Sequence, residues 1–323
     1  MKAGVMKLRP MQRILITGGA GFIGSHLVEV LLACGHEVVV LDDLSTGHRS
    51  NLPALNPKLR FVEGSILDPT AIESSMEQCN AVIHLAAVAS VQATFAAPQI
   101  THGINVTGTI ACLEGARAAG ASRFIFASSA AVYGNATRQS ISEEDACSPQ
   151  SPYAVDKLAC EMYGRILSAK WGIKFLALRF FNVYGPGQSG SSDYSGVVQK
   201  FSEAAIFGTP ALIFGDGLQS RDFIFVRDLA ETIGMLVDGP DMTEQTLNVG
   251  TGRSTSILDL VTALEAITGR QLKVEHVAPL NGDIRHSQAD IRRLRELNGA
   301  QFQTNIQDGL GCLVESLRVN RPE

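Results

Sequence analysis

The sequence lacks the features that mark several functional classes. Its six cysteines, Cys34, Cys79, Cys112, Cys147, Cys160 and Cys312, form no CxxC pair and show no metal-ligand spacing. Several fall in apolar helical stretches, where a thiol packs as a small hydrophobe. No metal is therefore expected, and a reducing cytosol suits free thiols. The net charge is −5 and there is no Lys/Arg-rich run, which argues against a nucleic-acid partner. No apolar run reaches the roughly 20 residues that cross a bilayer, so no membrane partner is expected. The opening MKAGVMKLRP has basic residues but no apolar h-region of a secretory signal, and it reads as a loose extension. No internal repeat or low-complexity tract occurs.

What remains is an ordinary globular composition, 45% hydrophobic and 18% charged over 323 residues. That length suits one large domain or two coupled lobes. Short apolar strands are predicted at Arg13–Thr17, 37–41, Leu59–Glu63, 81–85, 123–127 and 174–179, with helices at 22–34, 104–119 and 151–171. Continuous apolar strands alternating with helices predict an α/β fold whose parallel sheet is covered on both faces. After Phe181 the texture changes to a Gly/Ser/Pro-rich loop over 184–195, then helices near 196–207, 227–238, 256–267 and 304–318. A lobe boundary is placed near Phe180, giving 11–180 and 181–323, with later segments free to return to the first lobe.

The first strand runs into Gly18-Gly19-Ala20-Gly21-Phe22-Ile23-Gly24, and a helix follows. A tight turn, backbone approach to a pyrophosphate and close helix packing each need glycine, and the helix N-terminus favours phosphate. The second strand ends at Asp42-Asp43. A carboxylate there accepts hydrogen bonds from both ribose hydroxyls of NAD and repels the 2′-phosphate of NADP. The other reading of the pair is a simple turn.

Tyr153 and Lys157 lie four apart in a predicted helix, hence on one face. A phenol of pKa ~10 is a poor base, and a nearby ammonium together with the positive nicotinamide ring of NAD is expected to lower it. Ser128 and Ser129 follow a strand at the sheet's carboxyl edge, where such folds place their chemistry. Either serine can also be a cap or turn residue.

TGGAGFIG, Asp42-Asp43, His84-Leu85-Ala86-Ala87, Asn105-Val106, Ser128-Ser129, YAVDK at 153–157 and RFFNVYGP at 179–186 together resemble the extended short-chain dehydrogenase/reductase family, closest to its UDP-sugar 4-epimerases. The motifs fall in the family's order from Met11 onward. The resemblance implies a Rossmann-type doubly wound sheet with a smaller C-terminal α/β substrate-binding lobe, NAD as cofactor, a UDP-sugar as substrate and a homodimer. It implies an NAD site at Gly18, Gly21, Phe22, Ile23, Gly24, Asp42, Asp43, Ser65, Ile66, Leu85, Ala86, Ala87, Tyr153, Lys157 and Phe180. Ser65 stands where many relatives carry Asp against the adenine amine. The catalytic residues implied are Ser129, Tyr153 and Lys157. Ser128 is then read as the capping residue, Asn105 as a support for the active-site helix, and His84 as a packed core histidine. Ala130 and Ala131 replace the acids with which related dehydratases eliminate water.

For the substrate the resemblance implies Ser129, Tyr153, Asn182, Ser195, Val197, Phe214, Arg221, Asp283 and Ser287. Phe214 is alternatively ordinary core, and Arg221 alternatively a surface partner of Asp222. Leu280 stands where relatives have a diphosphate-binding arginine, and Arg285 is the nearby cation. Ser287 is small where a bulky residue excludes an N-acetyl group, so UDP-GlcNAc/UDP-GalNAc exchange is expected, with UDP-Glc/UDP-Gal also accepted. A UDP-uronate 4-epimerase, using Arg285 on the sugar carboxylate, is the second reading. A catalytically silent NAD-binding regulator is the third, against which all three catalytic residues stand.

Overall fold

The computed structural model describes residues 11–136, 138–188, 196–239, 245–279, 284–299 and 302–319. In chain order the first half contains β1 (Arg13–Thr17), α1 (Phe22–Ala33), β2 (Glu37–Asp42), β3 (Leu59–Glu63), α2 (Pro69–Met76), β4 (Ala81–His84), α3 (Val91–Ala96), α4 (Pro98–His102), α5 (Gly108–Ala118), β5 (Arg123–Ser129), β6 (Ser140–Ile141), α6 (Pro152–Trp171) and β7 (Lys174–Phe180). The second half contains β8 (Asn182–Tyr184), α7 (Val197–Phe207), β9 (Ala211–Phe214), β10 (Ser220–Arg221), β11 (Phe223–Phe225), α8 (Val226–Val237), β12 (Gln245–Val249), β13 (Thr255–Ser256), α9 (Ile257–Thr268), β14 (Val274–Val277), β15 (Gln288–Ala289), α10 (Arg292–Asn298) and α11 (Ile306–Val319).

Seven strands form one parallel sheet in the order β12-β7-β5-β4-β1-β2-β3, the doubly wound arrangement. Alternate strand residues enter opposite cores: Ile14, Ile16 and Val40 pack with Leu27 of α1 and Ile233 of α8, whereas Leu15, Val39 and Leu41 pack with Ile72 of α2 and Leu113 of α5. Burial on both faces is what makes these strands near-continuous apolar runs. The smaller lobe has its own core, with Phe201 of α7, Ile213 of β9, Leu264 of α9 and Leu310 of α11.

The chain does not stay in the second lobe once it enters. α8 packs on α1, and β12 pairs with β7 at the sheet edge, so these two elements sit with the first sheet. The helix expected over 104–119 is also interrupted. Residues Gly103–Thr107 make one wide π turn before α5 begins. A Cβ on Gly108 would lie 2.6 Å from Ile66 Cδ1, so the Ile66 side chain packs directly against the glycine. Such turns often occur at functional sites.

One buried carboxylate ties the two lobes together. Asp222, between β10 and β11, accepts hydrogen bonds from Thr251 N and Oγ1, Gly252 N and Ala289 N at 2.7–3.1 Å. Its own carbonyl accepts from Asn182 N at 3.0 Å. Asp222→Ala strands three buried backbone donors and should lower unfolding stability by about 3–5 kcal/mol, read from urea melts. A loss under about 1 kcal/mol would show that these bonds do not hold the junction.

Candidate active site

The site is built on strand ends. Register places Thr17 beside Leu41 and His84, Ser129 beside Phe180, and Phe180 beside Val249, so the carboxyl ends of β1, β4, β5, β7 and β12 share one edge. β1 lies between β2 and β4, where the strand order reverses, and ligands of doubly wound sheets bind at that point.

The glycine turn follows β1. Gly18 has φ +70°, and a Cβ there would lie 2.8 Å from Ala86 N, so both backbone and space demand glycine. A Cβ on Gly24 would overlap the Gly18 carbonyl and lie 2.6 Å from Gly19 Cα. The close approach is thus of the helix to the turn itself, rather than to the strand as expected. At Gly21 a Cβ would meet the Gly18 carbonyl oxygen at 3.3 Å, a tight contact with backbone. α1 starts with Gly21 as N-cap, without a side-chain cap or an acid in its first turn. The amides of Phe22, Ile23 and Gly24 thus head a helix end suited to an anion.

Asp42 is buried, accepting from Ala20 N through Oδ2 and Leu44 N through Oδ1, each at 2.9 Å. Burial pushes its carboxyl up, while these amides pull it down. It therefore joins the glycine turn to the loop after β2. Asp43 is exposed and accepts from Ser45 N and Oγ, the turn role considered for the pair. Ser65 Oγ accepts from Leu67 N, and Ile66 packs on Gly108. Leu85 N and Ala86 N donate to Thr17 O and Oγ1. With Ala87 they lie half-buried past β4, and Phe180 is buried at the end of β7.

Tyr153, Lys157 and Ser129 converge. Ser151 caps α6 by accepting from Ala154 N, and Pro152 opens it, so the next turns are held rigidly. Lys157 is buried, donates from Nζ to Ala127 O at 2.7 Å, and lies 4.8 Å from the Phe126 ring centroid and 5.7 Å from that of Tyr153. Burial pushes its ammonium down to about 8. Tyr153 is hydrogen-bonded with Ser129, which lowers its phenol, but burial outweighs this and raises it. The lowering expected from Lys157 is not found in the protein alone, because the ammonium is directed at the Ala127 carbonyl.

The two serines differ from expectation. Ser129 Oγ accepts from Ala131 N, so the cap is Ser129, whereas Ser128 donates to Glu161. Asn105 sits in the π turn, accepting from Val88 N and donating to Asp156 Oδ2 beside Tyr153 and Lys157. His84 bonds Thr17 and Thr109, and burial drives its pKa down to about 3, so it stays neutral.

A pocket of about 200 Å³ in the second lobe brings together Asn182, Val197, Phe214 and Arg221. Its wall is completed by Phe201, Leu212, Ile213, Gln219 and Ile257, which the sequence did not single out. Leu212 and Phe214 share the outer face of β9, and Phe214 is 38% exposed, so it is not ordinary core. Arg221 does not pair with Asp222, whose carboxylate serves Thr251, Gly252 and Ala289; its Nη1 donates to Ser220 O. Ser287 is buried and donates from its N to Ser220 O, one residue from Arg221, but does not line this pocket. Arg285 forms a bidentate pair with Asp216 at 2.7 and 2.8 Å. Ser195, Leu280 and Asp283 lie outside the described residues.

Comparison with known proteins places these features. Residues 14–250 match the NAD dependent epimerase/dehydratase family. The chain is 39% identical to a UDP-glucose 4-epimerase of Mycolicibacterium smegmatis, across 95% of this chain and 98% of that protein. It superposes on a Thermotoga maritima UDP-glucose 4-epimerase solved with UDP-glucose, with a TM-score of 0.89, 35% identity and coverage of 95% and 99% of the two chains. A UDP-N-acetylglucosamine 4-epimerase from Methanobrevibacter ruminantium gives a TM-score of 0.90 at 32% identity, with coverage of 97% and 100%.

NAD fits the glycine turn by the uncapped helix start and the carboxylate at Asp42. Gly18→Ala would drive a methyl group into Ala86 backbone. We expect NAD retention on purification to fall at least tenfold while far-UV circular dichroism is unchanged. Full retention would show that the turn does not hold the dinucleotide.

Proposed function

The chain belongs to the NAD dependent epimerase/dehydratase family, and from that premise we propose that it inverts C4 of a UDP-hexose through a 4-keto sugar, with UDP-GlcNAc/UDP-GalNAc as preferred pair and UDP-Glc/UDP-Gal also accepted. The observation that carries this reading is the meeting of Ser129, Tyr153 and Lys157 at the strand edge. NAD, held by the glycine turn and Asp42, would supply the hydride acceptor and donor for C4. Tyr153 removes the O4 proton and later restores it. Ser129 is within reach of the same oxygen through its bond with Tyr153 and holds it. Lys157 holds its ammonium 5.7 Å from the Tyr153 ring centroid, where it would favour phenolate together with the positive nicotinamide ring of bound NAD. Asn182 and Arg221 bind the diphosphate and Phe214 stacks on the base, as their shared pocket supports. Val197 opens α7, whose N-terminus faces that pocket without a side-chain cap.

Several observations favour this chemistry over its rivals. Ala130 and Ala131, in the turn after Ser129, offer no group to take a C5 proton, which disfavours elimination. A sugar carboxylate needs a cation, and Arg285 is already held by Asp216. The N-acetyl preference rests on Ser287, which is small, buried and bonded through its N–H to the carbonyl of Ser220, the residue before Arg221. The protein is placed in the cytoplasm by this reading, in keeping with its free thiols.

Incubation with each UDP-hexose and NMR of the C4 configuration tests the reading. Inversion without accumulated NADH is expected, and Tyr153→Phe should reduce it by roughly 10²–10⁴-fold. Ser287→Tyr should abolish turnover of the N-acetylated pair and spare the smaller one; unchanged N-acetyl turnover removes the size argument.

We further propose a homodimer through the α5–α6 face. Val155, Met162, Tyr163 and Ile166 form one stripe along α6, each about half exposed, too much apolar surface for a free helix face. Sedimentation should give twice the chain mass, and Ile166→Glu should give the monomer.

A further inference from the structure

Tyr153 and Lys157 are not the last members of their face. Glu161 lies one more turn along α6, is buried, and does not take part in the chemistry above. Its Oε1 accepts from Ser128 Oγ and from Arg179 Nε at 2.9 Å, and its Oε2 accepts from Arg179 Nη2 at 2.7 Å. Ser128 and Arg179 are register partners on β5 and β7, each one residue short of the carboxyl edge. Arg179 in turn lies 4.7 Å from the Tyr133 ring centroid, and Tyr133 donates to Asn248 of β12. One carboxylate therefore joins α6 to two strands, and through Arg179 to the turn after β5 and the third strand.

We propose that Glu161 is a positioning residue for the epimerisation: clamped by Arg179 and Ser128, it fixes the depth of α6 against β5 so that Lys157 and Tyr153 meet Ser129. The clamp sits between Lys157, which bonds Ala127, and Ser129, so a slip of α6 would separate all three groups at once. Glu161 also faces Lys157 electrostatically and raises its ammonium, acting with Asp156 and Cys160 of α6, while His84 of β4 lowers nothing because it is neutral. Asp156 is engaged by His102 and Asn105, which leaves Glu161 as the carboxylate tied directly to the strand edge.

The test compares wild type with Glu161→Gln in C4 inversion, with pH profiles of kcat and KM. The amide keeps the shape and removes the charge. The expected result is kcat reduced about tenfold, KM for the UDP-sugar within twofold, NAD retained, and the alkaline limb of kcat displaced to lower pH. Should unpaired Arg179 prevent folding, the neutral pair E161L/R179M is measured instead, since apolar replacement of a buried ion pair is commonly tolerated. Wild-type kcat and an unmoved alkaline limb in either folded variant would overturn the proposal. So would a loss seen only in KM, or a loss of kcat with no change in pH profile, which marks a general structural role. Inactive wild type would instead reject the epimerase reading on which this rests.

Discussion

One helix grips three consecutive residues of one strand, and the site depends on that. Tyr153, Lys157 and Glu161 of α6 engage Ser129, the Ala127 carbonyl and Ser128 of β5 in turn. Each tie uses a different chemistry: a hydroxyl pair, a charge-assisted bond to a carbonyl, and a carboxylate shared with an arginine. Helix residues four apart fall on one face, while a strand offers a polar group at every residue near its end, so the two periodicities meet over only a few positions. Within that window helix depth, rotation and strand register are all set together.

Burial makes the arrangement chemically useful and also costly. Lys157 is driven down to about 8 because little water reaches it, and His84, deeper in the sheet, is held neutral. The phenol of Tyr153 rises for the same reason, against its bond with Ser129. Desolvation therefore outweighs the local hydrogen bond on the protein's own account, and an activated phenolate needs a further positive charge. The nicotinamide ring of NAD carries one. Activation of the proposed general base is thus coupled to cofactor binding by electrostatics.

The first lobe was legible because its constraints are local. The strand RILIT, the glycine run and the Asp pair specify a strand–turn–helix whose parts lie next to each other in sequence, and the structure has them in place. The Tyr–Lys face was equally legible from spacing four, and Glu161 could have been found by extending that spacing once more. The chain after Phe181 was read as second lobe with some segments free to return, and the sequence did not say which; α8 and β12 are the elements that pack with the first sheet. Long-range pairing of β12 with β7 leaves no mark on the sequence beyond apolar residues suitable for any core. The serines show a different limit. Both fit a cap, a turn or a catalytic hydroxyl, and only coordinates assign Ser129 to Ala131 N and Ser128 to Glu161.

The second-lobe pocket draws its walls from segments far apart in sequence, which is why only part of its lining was legible. Motif residues Asn182 and Arg221 lie close because β8 pairs with β11, one step past Asp222. Leu212 and Phe214 reach the pocket through strand alternation on β9, and Gln219 is turned by donating to the Phe214 carbonyl. Ser287 is joined to the same wall through Ser220, so any change in this backbone bridge moves the pocket and the proposed sugar-specificity position together. The bidentate bond between Arg285 and Asp216 closes the loop after β9 against the segment that leads to Ser287. Arg285 thereby serves the frame of the site, which leaves Arg221 as the cation lining the pocket among the described residues.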